Sequence, residues 1–203
     1  EHSDYVLMGV KPNVIESVLD KVKDLLDDKT IISIVAGYSH EKYETLIPGT
    51  HHLTIMPNTP ALVGEAVTAI CPNKNVSDEE KKVVSELLSS FGIAQFINEN
   101  IMDAVIAVSG SSPAYVFMFI EAMADAAVAE GMPRTQAYQF AAQSVLGSAK
   151  MVLETGKHPG ELKDMVCSPA GTTIEAVKVL EEKGFRSSVI EAMSACADKS
   201  RNM

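Results

Sequence analysis

Two short runs rich in hydroxyl-bearing residues, about sixty positions apart, carry the most legible chemistry in this chain. In Val108-Ser109-Gly110-Ser111-Ser112-Pro113-Ala114-Tyr115-Val116-Phe117 a polar, glycine-containing stretch precedes an almost wholly apolar helical pattern. Pro113 suits the first turn of that helix, because its missing N–H would find no partner there in any case. The device returns in Cys167-Ser168-Pro169-Ala170-Gly171-Thr172-Thr173-Ile174-Glu175, where Thr172 and Glu175 match the spacing of a capping box. A helix start presents N–H groups without intrahelical acceptors and the positive end of the helix dipole. Both runs are therefore read as loops opening onto helix N-termini, and such ends take a carboxylate or a phosphate. A single loop of this kind usually only caps its helix. Two in one small chain point to an anionic small molecule.

The elements that must hold these runs follow different grammars in the two halves. Over residues 1–99 strands alternate with helices. Tyr5 to Val10 is a short apolar run, as in a buried parallel strand, and Thr30 to Ala36 is a second. Val14 to Leu26 has apolar residues at helical spacing, and a further helix spans His40 to Leu46. Leu53 to Met56 and Ala66 to Cys71 are strands. A charged amphipathic helix from Asp78 to Phe91 is closed by Gly92, and Ala94 to Ile97 is the last strand. This is an α/β part with a mostly parallel, Rossmann-like sheet. It reads as incomplete, because a dinucleotide-binding domain starts with a strand, a G-x-G-x-x-G turn and a helix, and no such glycine pattern occurs in the chain.

Over residues 100–203 the pattern is helical throughout, an all-α domain. The expected helices are Ile101–Val108, Pro113–Glu130, Thr135–Glu154, Pro159–Val166, Thr173–Lys183 and Ser187–Lys199, three of them stopped by glycine, at Gly131, Gly156 and Gly184. The Pro113 helix is about 27 Å long at ~1.5 Å per residue, and apolar nearly all round. So long an apolar rod needs cover on every side. A second copy of the chain would supply it, approaching at Ala122, Ala126, Ala129 and Gly147; the alternative is a central core helix in a monomer. Glu121 and Asp125, one turn apart on that helix, read as a solvated stripe rather than a catalytic pair.

Composition narrows the class. Apolar residues make up 46% of the 203, and 17 basic against 27 acidic residues give a net charge of −10. With no basic cluster, nucleic-acid and anionic-membrane partners are not expected. The longest apolar run, Ala114 to Val128, is interrupted by Glu121 and Asp125 and reads as a buried helix rather than a membrane span. Nothing at the amino end reads as a signal peptide. Cys71, Cys167 and Cys196 are odd in number and far apart, so neither disulfides nor a zinc site is expected, and a cytoplasmic location follows. His51 and His52 are adjacent; neighbours on a strand face opposite ways and make a poor metal pair.

Taken in order, Gly9-Val10-Lys11-Pro12, Met56-Pro57-Asn58-Thr59-Pro60, Ser109 to Tyr115, His158-Pro159-Gly160-Glu161-Leu162-Lys163-Asp164, Ser168 to Thr173 and Gly184-Phe185-Arg186 closely resemble the pyrroline-5-carboxylate reductase family. The resemblance covers essentially the whole chain. It implies reduction of 1-pyrroline-5-carboxylate to L-proline, the last step of proline biosynthesis, with NADPH or NADH as hydride donor. It implies a glycine-rich turn upstream of the family's equivalent of Gly9–Pro12, and a homodimer or ring of dimers through the helical half. Gly171, Thr172 and Thr173 would hold the substrate carboxylate, with Ser109, Gly110 and Ser111 as the facing wall. Val10, Lys11, Pro12, Ala36 and Gly37 would line the nucleotide crevice, and Asn58, Thr59 and Pro60 would border the nicotinamide. Ser109 and Thr173 are the candidates for catalysis. In some relatives a threonine early on the apolar helix has been considered as proton donor; Met118 stands there, and a thioether cannot donate. Another two-domain imine or β-hydroxyacid reductase is the alternative, although those hydroxyacid enzymes use a helix lysine and none lies between Asn98 and Ala149. A non-catalytic helical assembly module is a second.

Overall fold

The structure is a computed structural model that describes residues 2–202. Five strands, β1 (Tyr5–Met8), β2 (Thr30–Ser33), β3 (His51–Met56), β4 (Ala66–Pro72) and β5 (Gly92–Phe96), form one sheet in sequential order. β1, β2 and β3 run parallel, as do β4 and β5. Only β3 and β4 are antiparallel. The link from Pro57 to Glu65 accounts for this. A parallel crossover takes a dozen or more residues, whereas here a 3₁₀ turn, Thr59–Val63, ends at left-handed Gly64 and sends the chain straight back.

Helices α1 (Ile15–Val22), α2 (His40–Leu46) and α3 (Asp78–Ser89) cover the sheet. All four residues of β2 are buried, and period-two alternation sends neighbours to opposite faces. Ile31 packs with Ile15, Leu19 and Tyr43, while Ile32 packs with Leu53, Ile70 and Val84. The ladder ends earlier than the apolar runs suggest. Beyond Met8, Pro12 opens a short 3₁₀ turn; beyond Ser33, the Val35 N–H donates to Ser33 Oγ at 3.2 Å instead of to a strand. Residues 9–12 and 34–37 are thus loops at the carboxyl ends of β1 and β2.

The start of α3 is fixed by a true capping box. Ser77 Oγ accepts from the Glu80 N–H, and Glu80 accepts in return from the Ser77 N–H at 2.7 Å. Thr30 and His51 also donate to the Glu80 carboxylate. Burial alone would push that carboxyl up, but the bonds from Ser77, Thr30 and His51 outweigh it and hold it down at about 2. Gly92, expected only to stop α3, instead starts β5 at φ +150°. A Cβ there would lie 2.1 Å from the Ala66 carbonyl oxygen, so the close strand approach admits nothing larger.

Beyond β5 the chain is helical. A 3₁₀ turn (Glu99–Ile101) leads into α4 (Met102–Val105), a π turn (Ile106–Gly110) and α5 (Ser112–Ala129). α6 (Arg134–Thr155), α7 (Pro159–Val166), α8 (Thr172–Glu182) and α9 (Phe185–Arg201) follow. Compact units divide the chain at other points than the change of grammar at 99/100. One contains residues 1–113 with 193–203, the other 114–192. Contacts of α9 explain the difference: Ser200 Oγ donates to Asp103 Oδ1 at 2.6 Å, and the Cys196 thiol to Ser111 Oγ at 3.2 Å.

Within the second unit, α5 and α6 meet through Ala124, Ala137 and Ala141. The expectation that α5 is a buried helix needs correction for the single chain. Ala124 is its only buried residue, and Phe117 and Met118 are 60% and 68% exposed. Its apolar residues run all the way round, so one neighbouring helix cannot cover them. Ala122, Ala126 and Ala129 are exposed, and nothing lies within 4 Å of a Cβ built on Gly147.

Replacing Ser77 with alanine removes the N-cap acceptor of α3. The expected cost is about 1 kcal/mol, a fall in Tm of roughly 2–4 °C for a chain of this size. Thermal melts at pH 7 check it.

Candidate active site

The first hydroxyl-rich run is not a loop. The backbone stays helical from Glu99 to Ala129, and the Ser111 N–H bonds to the Ile106 carbonyl five residues back, at 2.9 Å. A π turn of this kind absorbs one extra residue within a continuous helix and recurs at functional sites. The Ser111 N–H is therefore engaged, and this part of the site is built from side chains. Ser109 is buried and its hydroxyl donates to Val105 O at 2.9 Å; Ser112 donates likewise to Val108 O. Both protons are held inside the helix. The Ser111 hydroxyl instead accepts from Cys196, so among the described residues no acceptor takes its proton.

The second run does open a helix, but not as its spacing suggests. Gly171 is the N-cap of α8, Thr172 is the first helical residue, and no side chain caps it. Glu175 pairs with Lys178 rather than reaching back to a capping threonine. The pattern S/T-x-x-E holds at Thr172, but one residue too far into the helix for a cap. The preceding turn is tight: Ala170 has φ 56°, and the Gly171 N–H donates to Ser168 O at 3.1 Å. A Cβ on Gly171 would lie 2.3 Å from Ser168 Oγ. With Gly171 engaged, an anion at this end would rest on the N–H groups of Thr172 and Thr173, where helical partners are lacking. The two runs belong to different compact units.

At the carboxyl ends of the strands, Val35, Ala36 and Gly37 line a cavity of about 280 Å³ with Thr54, Met56, Cys71, Glu99 and Asp103. Lys42 Nζ donates to the Gly37 carbonyl at 2.6 Å. The Thr54 hydroxyl on this wall is buried and has no partner among the described residues. The structure thus brings Ala36 and Gly37 together with β3. Val10, Lys11 and Pro12 follow β1, outside that lining, and Lys11 is exposed. Asn58 has a structural duty, accepting the Val67 N–H at 3.0 Å, and Thr59 and Pro60 begin the 3₁₀ turn. Loops at the carboxyl ends of parallel strands are where open α/β sheets hold nucleotides, so this edge fits a nicotinamide dinucleotide.

Sequence spacing gave no hint of the polar cluster behind this cavity. Asn73 Nδ2 donates to Thr50 O at 2.9 Å and to His52 Nδ1 at 3.0 Å, while its Oδ1 accepts the His52 and Asn75 N–H groups. Four contacts fix the amide, and the amide fixes His52 as the neutral Nε2–H form. That proton points to His40 Nδ1 at 3.0 Å, and His40 Nε2 lies 3.2 Å from Cys71 Sγ. Burial, then the adjacent His40, lower the His52 pKa to about 4. Burial, then the Glu99 charge, raise Cys71 to about 11. Cys71 is therefore a neutral thiol, not a nucleophile. His51, one residue away, faces the other side and pairs with Glu80.

Comparison with known proteins decides the family. Residues 99–203 match the family model described as pyrroline-5-carboxylate reductase dimerisation, and residues 1–37 the one described as NADP oxidoreductase, coenzyme F420-dependent. The chain is 54% identical over 203 residues to the pyrroline-5-carboxylate reductase of Escherichia coli, covering 99% of this chain and 76% of that protein. The chain belongs to the pyrroline-5-carboxylate reductase family. The family's protein from Methanosarcina acetivorans is 48% identical, with 99% of this chain and 75% of that protein covered. A crystal structure of Plasmodium falciparum pyrroline carboxylate reductase with NADP bound superposes with a TM-score of 0.92 at 38% identity, covering 99% of this chain and 77% of that one. A mostly parallel Rossmann-like sheet followed by a helical domain is thus the fold of a pyrroline-5-carboxylate reductase.

His52 makes stability depend on pH in a defined window. Its folded pKa of about 4 lies below the ~6.5 of an unfolded histidine, so between these values the unfolded chain binds more protons. Stability is then expected to fall as pH drops from about 6.5 towards 4. Urea titrations across that range should show the slope, reduced in His52→Gln.

Proposed function

We propose that the protein reduces 1-pyrroline-5-carboxylate to L-proline, with NADPH or NADH as the reductant. The observation that carries this reading is 54% identity over 203 residues to the Escherichia coli enzyme. When bound, the nicotinamide supplies the hydride that adds to the imine carbon, and the ring nitrogen gains a proton. The chain's own task is to hold the anion, exclude water and orient the imine. Residues 1–99 take the cofactor and residues 100–203 the substrate and the second subunit.

The N–H groups of Thr172 and Thr173, at the positive end of α8, hold the carboxylate; the threonine hydroxyls add charge-assisted bonds. Gly171 contributes the tight turn rather than its N–H. Val10, Lys11, Pro12, Ala36 and Gly37 border the dinucleotide, with Asn58, Thr59 and Pro60 beside the nicotinamide. Ser109 is a poor proton source, since its hydroxyl is committed to Val105 O. Met118 carries no transferable proton. Gly110 and Ser111, half-buried at the π turn, form a wall of the substrate site. Delivery of the substrate as a protonated iminium leaves the protein no obligatory acid.

A homodimer, alone or in a ring of dimers, covers α5. By length and composition, the helix from Glu99 to Ala129 is apolar enough to cross a membrane. The match of residues 99–203 to a dimerisation domain favours protein over lipid as its cover. The reaction is placed in the cytoplasm, consistent with three free cysteines.

Oxidation of NAD(P)H on addition of 1-pyrroline-5-carboxylate tests the activity; absence of turnover with purified protein would sink it. Thr173→Val should raise KM for the imine about ten- to hundred-fold, the equivalent of roughly 1.5–3 kcal/mol for a hydrogen bond to a charged group. Cofactor affinity should hardly change. Ala126 is exposed in the single chain, so Ala126→Arg is harmless to a monomer. With a dimer it should yield monomer or aggregate without activity, and sedimentation at micromolar concentration reads the difference.

A further inference from the structure

Three serines stand at the turn between α4 and α5, and they use their hydroxyls differently. Ser109 and Ser112 each donate to a carbonyl four residues back, at 2.9 and 2.7 Å. Ser111 has no such bond. Its oxygen accepts from the Cys196 thiol on α9 at 3.2 Å, across 85 residues of sequence. An oxygen that receives a hydrogen bond at a lone pair has its own O–H turned away from that donor. The Ser111 proton is thereby left for a ligand, with its direction set by Cys196.

The π turn is what makes this meeting possible. Asp103 and Ser111 are eight residues apart, a separation that in an uninterrupted α-helix leaves them about 80° apart around the axis. The π turn absorbs one residue, so the effective separation is a heptad and the mismatch falls to about 20°. Asp103 and Ser111 then share a face. On α9, Cys196 and Ser200 also share a face, one turn apart. Ser200 bonds to Asp103 at 2.6 Å, fixing the register in which Cys196 meets Ser111. Each helix contributes two groups, and the π turn aligns them.

We infer that Cys196 is a positioning residue for the reductase reaction, a thiol donor that orients the Ser111 hydroxyl towards the bound imine substrate. This rests on Ser111 being part of the substrate wall. The thiol acts as a hydrogen-bond donor only, and no covalent or redox step is involved. A hydroxyl in its place can do the same; a methyl group cannot.

The experiment is a double-mutant cycle on the purified protein, with steady-state kinetics on 1-pyrroline-5-carboxylate and thermal melts in parallel. Cys196→Ala should raise KM for the imine roughly two- to ten-fold, the weight of one neutral hydrogen bond, with KM for NAD(P)H and the melting temperature nearly unchanged. Cys196→Ser should restore the wild-type KM. In a Ser111→Ala background, Cys196→Ala should add nothing, because its effect travels through the serine hydroxyl. Equal losses in both backgrounds, or no rescue by serine, would show that Cys196 only packs, and would overturn the inference. If Cys196→Ala melts early, Cys196→Val, which fills the space without a donor, takes its place in the cycle. Wild-type protein without turnover would count against the functional reading; turnover with an indifferent Cys196→Ala would count against this assignment alone.

Discussion

A helix that is apolar all round must be covered all round, yet in the single chain α5 fully buries only Ala124, with Ile120, Met123, Ala127 and Val128 partly covered beside it. Each exposed square ångström of apolar surface costs about 25 cal/mol relative to burial, and Phe117 and Met118 on α5 and Phe140 on α6 are all exposed. Much else in the molecule follows from that rod. α6 crosses it on alanines, which lets two backbones approach without filling its remaining faces. Its amino end continues through the π turn into α4, so the residues proposed to face substrate stand on the same helix that seeks a second subunit. Positioning of the site and burial of apolar surface are thus carried by one element.

The cluster of Asn73, His52, His40 and Cys71 is tied into one hydrogen-bond chain. Asn73 selects the tautomer of His52, His52 selects that of His40, and the chain ends on a protonated thiol at Cys71. Glu80 stays ionised by accepting from Ser77, Thr30 and His51. Neither His52, lowered to about 4, nor Cys71, raised to about 11, is poised near neutral pH, as a general acid or base would be. That suits a reaction whose difficult step belongs to a bound reductant. The task left for the protein is geometry.

The strands and helices were largely readable because their signals are local. Gly156 and Gly184 stop helices by going left-handed, and the alternation around Ile31 and Ile32 sets two faces of a sheet. The π turn was not readable, because Ser-Gly-Ser-Ser is what a loop looks like too. Only the i to i−5 bond from Ser111 distinguishes them, and no residue type encodes it. The capping box was a matter of register: the same four-residue pattern caps α3 at Ser77 and fails at Thr172, where Gly171 already holds the cap. The cluster of His40, His52, Cys71 and Asn73 is assembled by the sheet from distant positions, so spacing carried no trace of it. Family motifs did mark the hydroxyl-rich runs, but not which of their N–H and O–H groups are free.

The return of residues 193–203 to the first compact unit also has a bearing on how the protein comes into being. The bonds Ser111–Cys196 and Asp103–Ser200 close loops of 85 and 97 residues, and long-range closures of this kind slow folding more than they affect stability. A chain emerging residue by residue from the ribosome can build the sheet early. It cannot latch the helix base until nearly the whole helical half has been made. In the interval the apolar rod is synthesised with neither its latch nor its cover. The newborn chain therefore passes through a sticky, half-assembled stage whose length is set by the rate of translation, and crowded synthesis of this protein should favour aggregation over assembly.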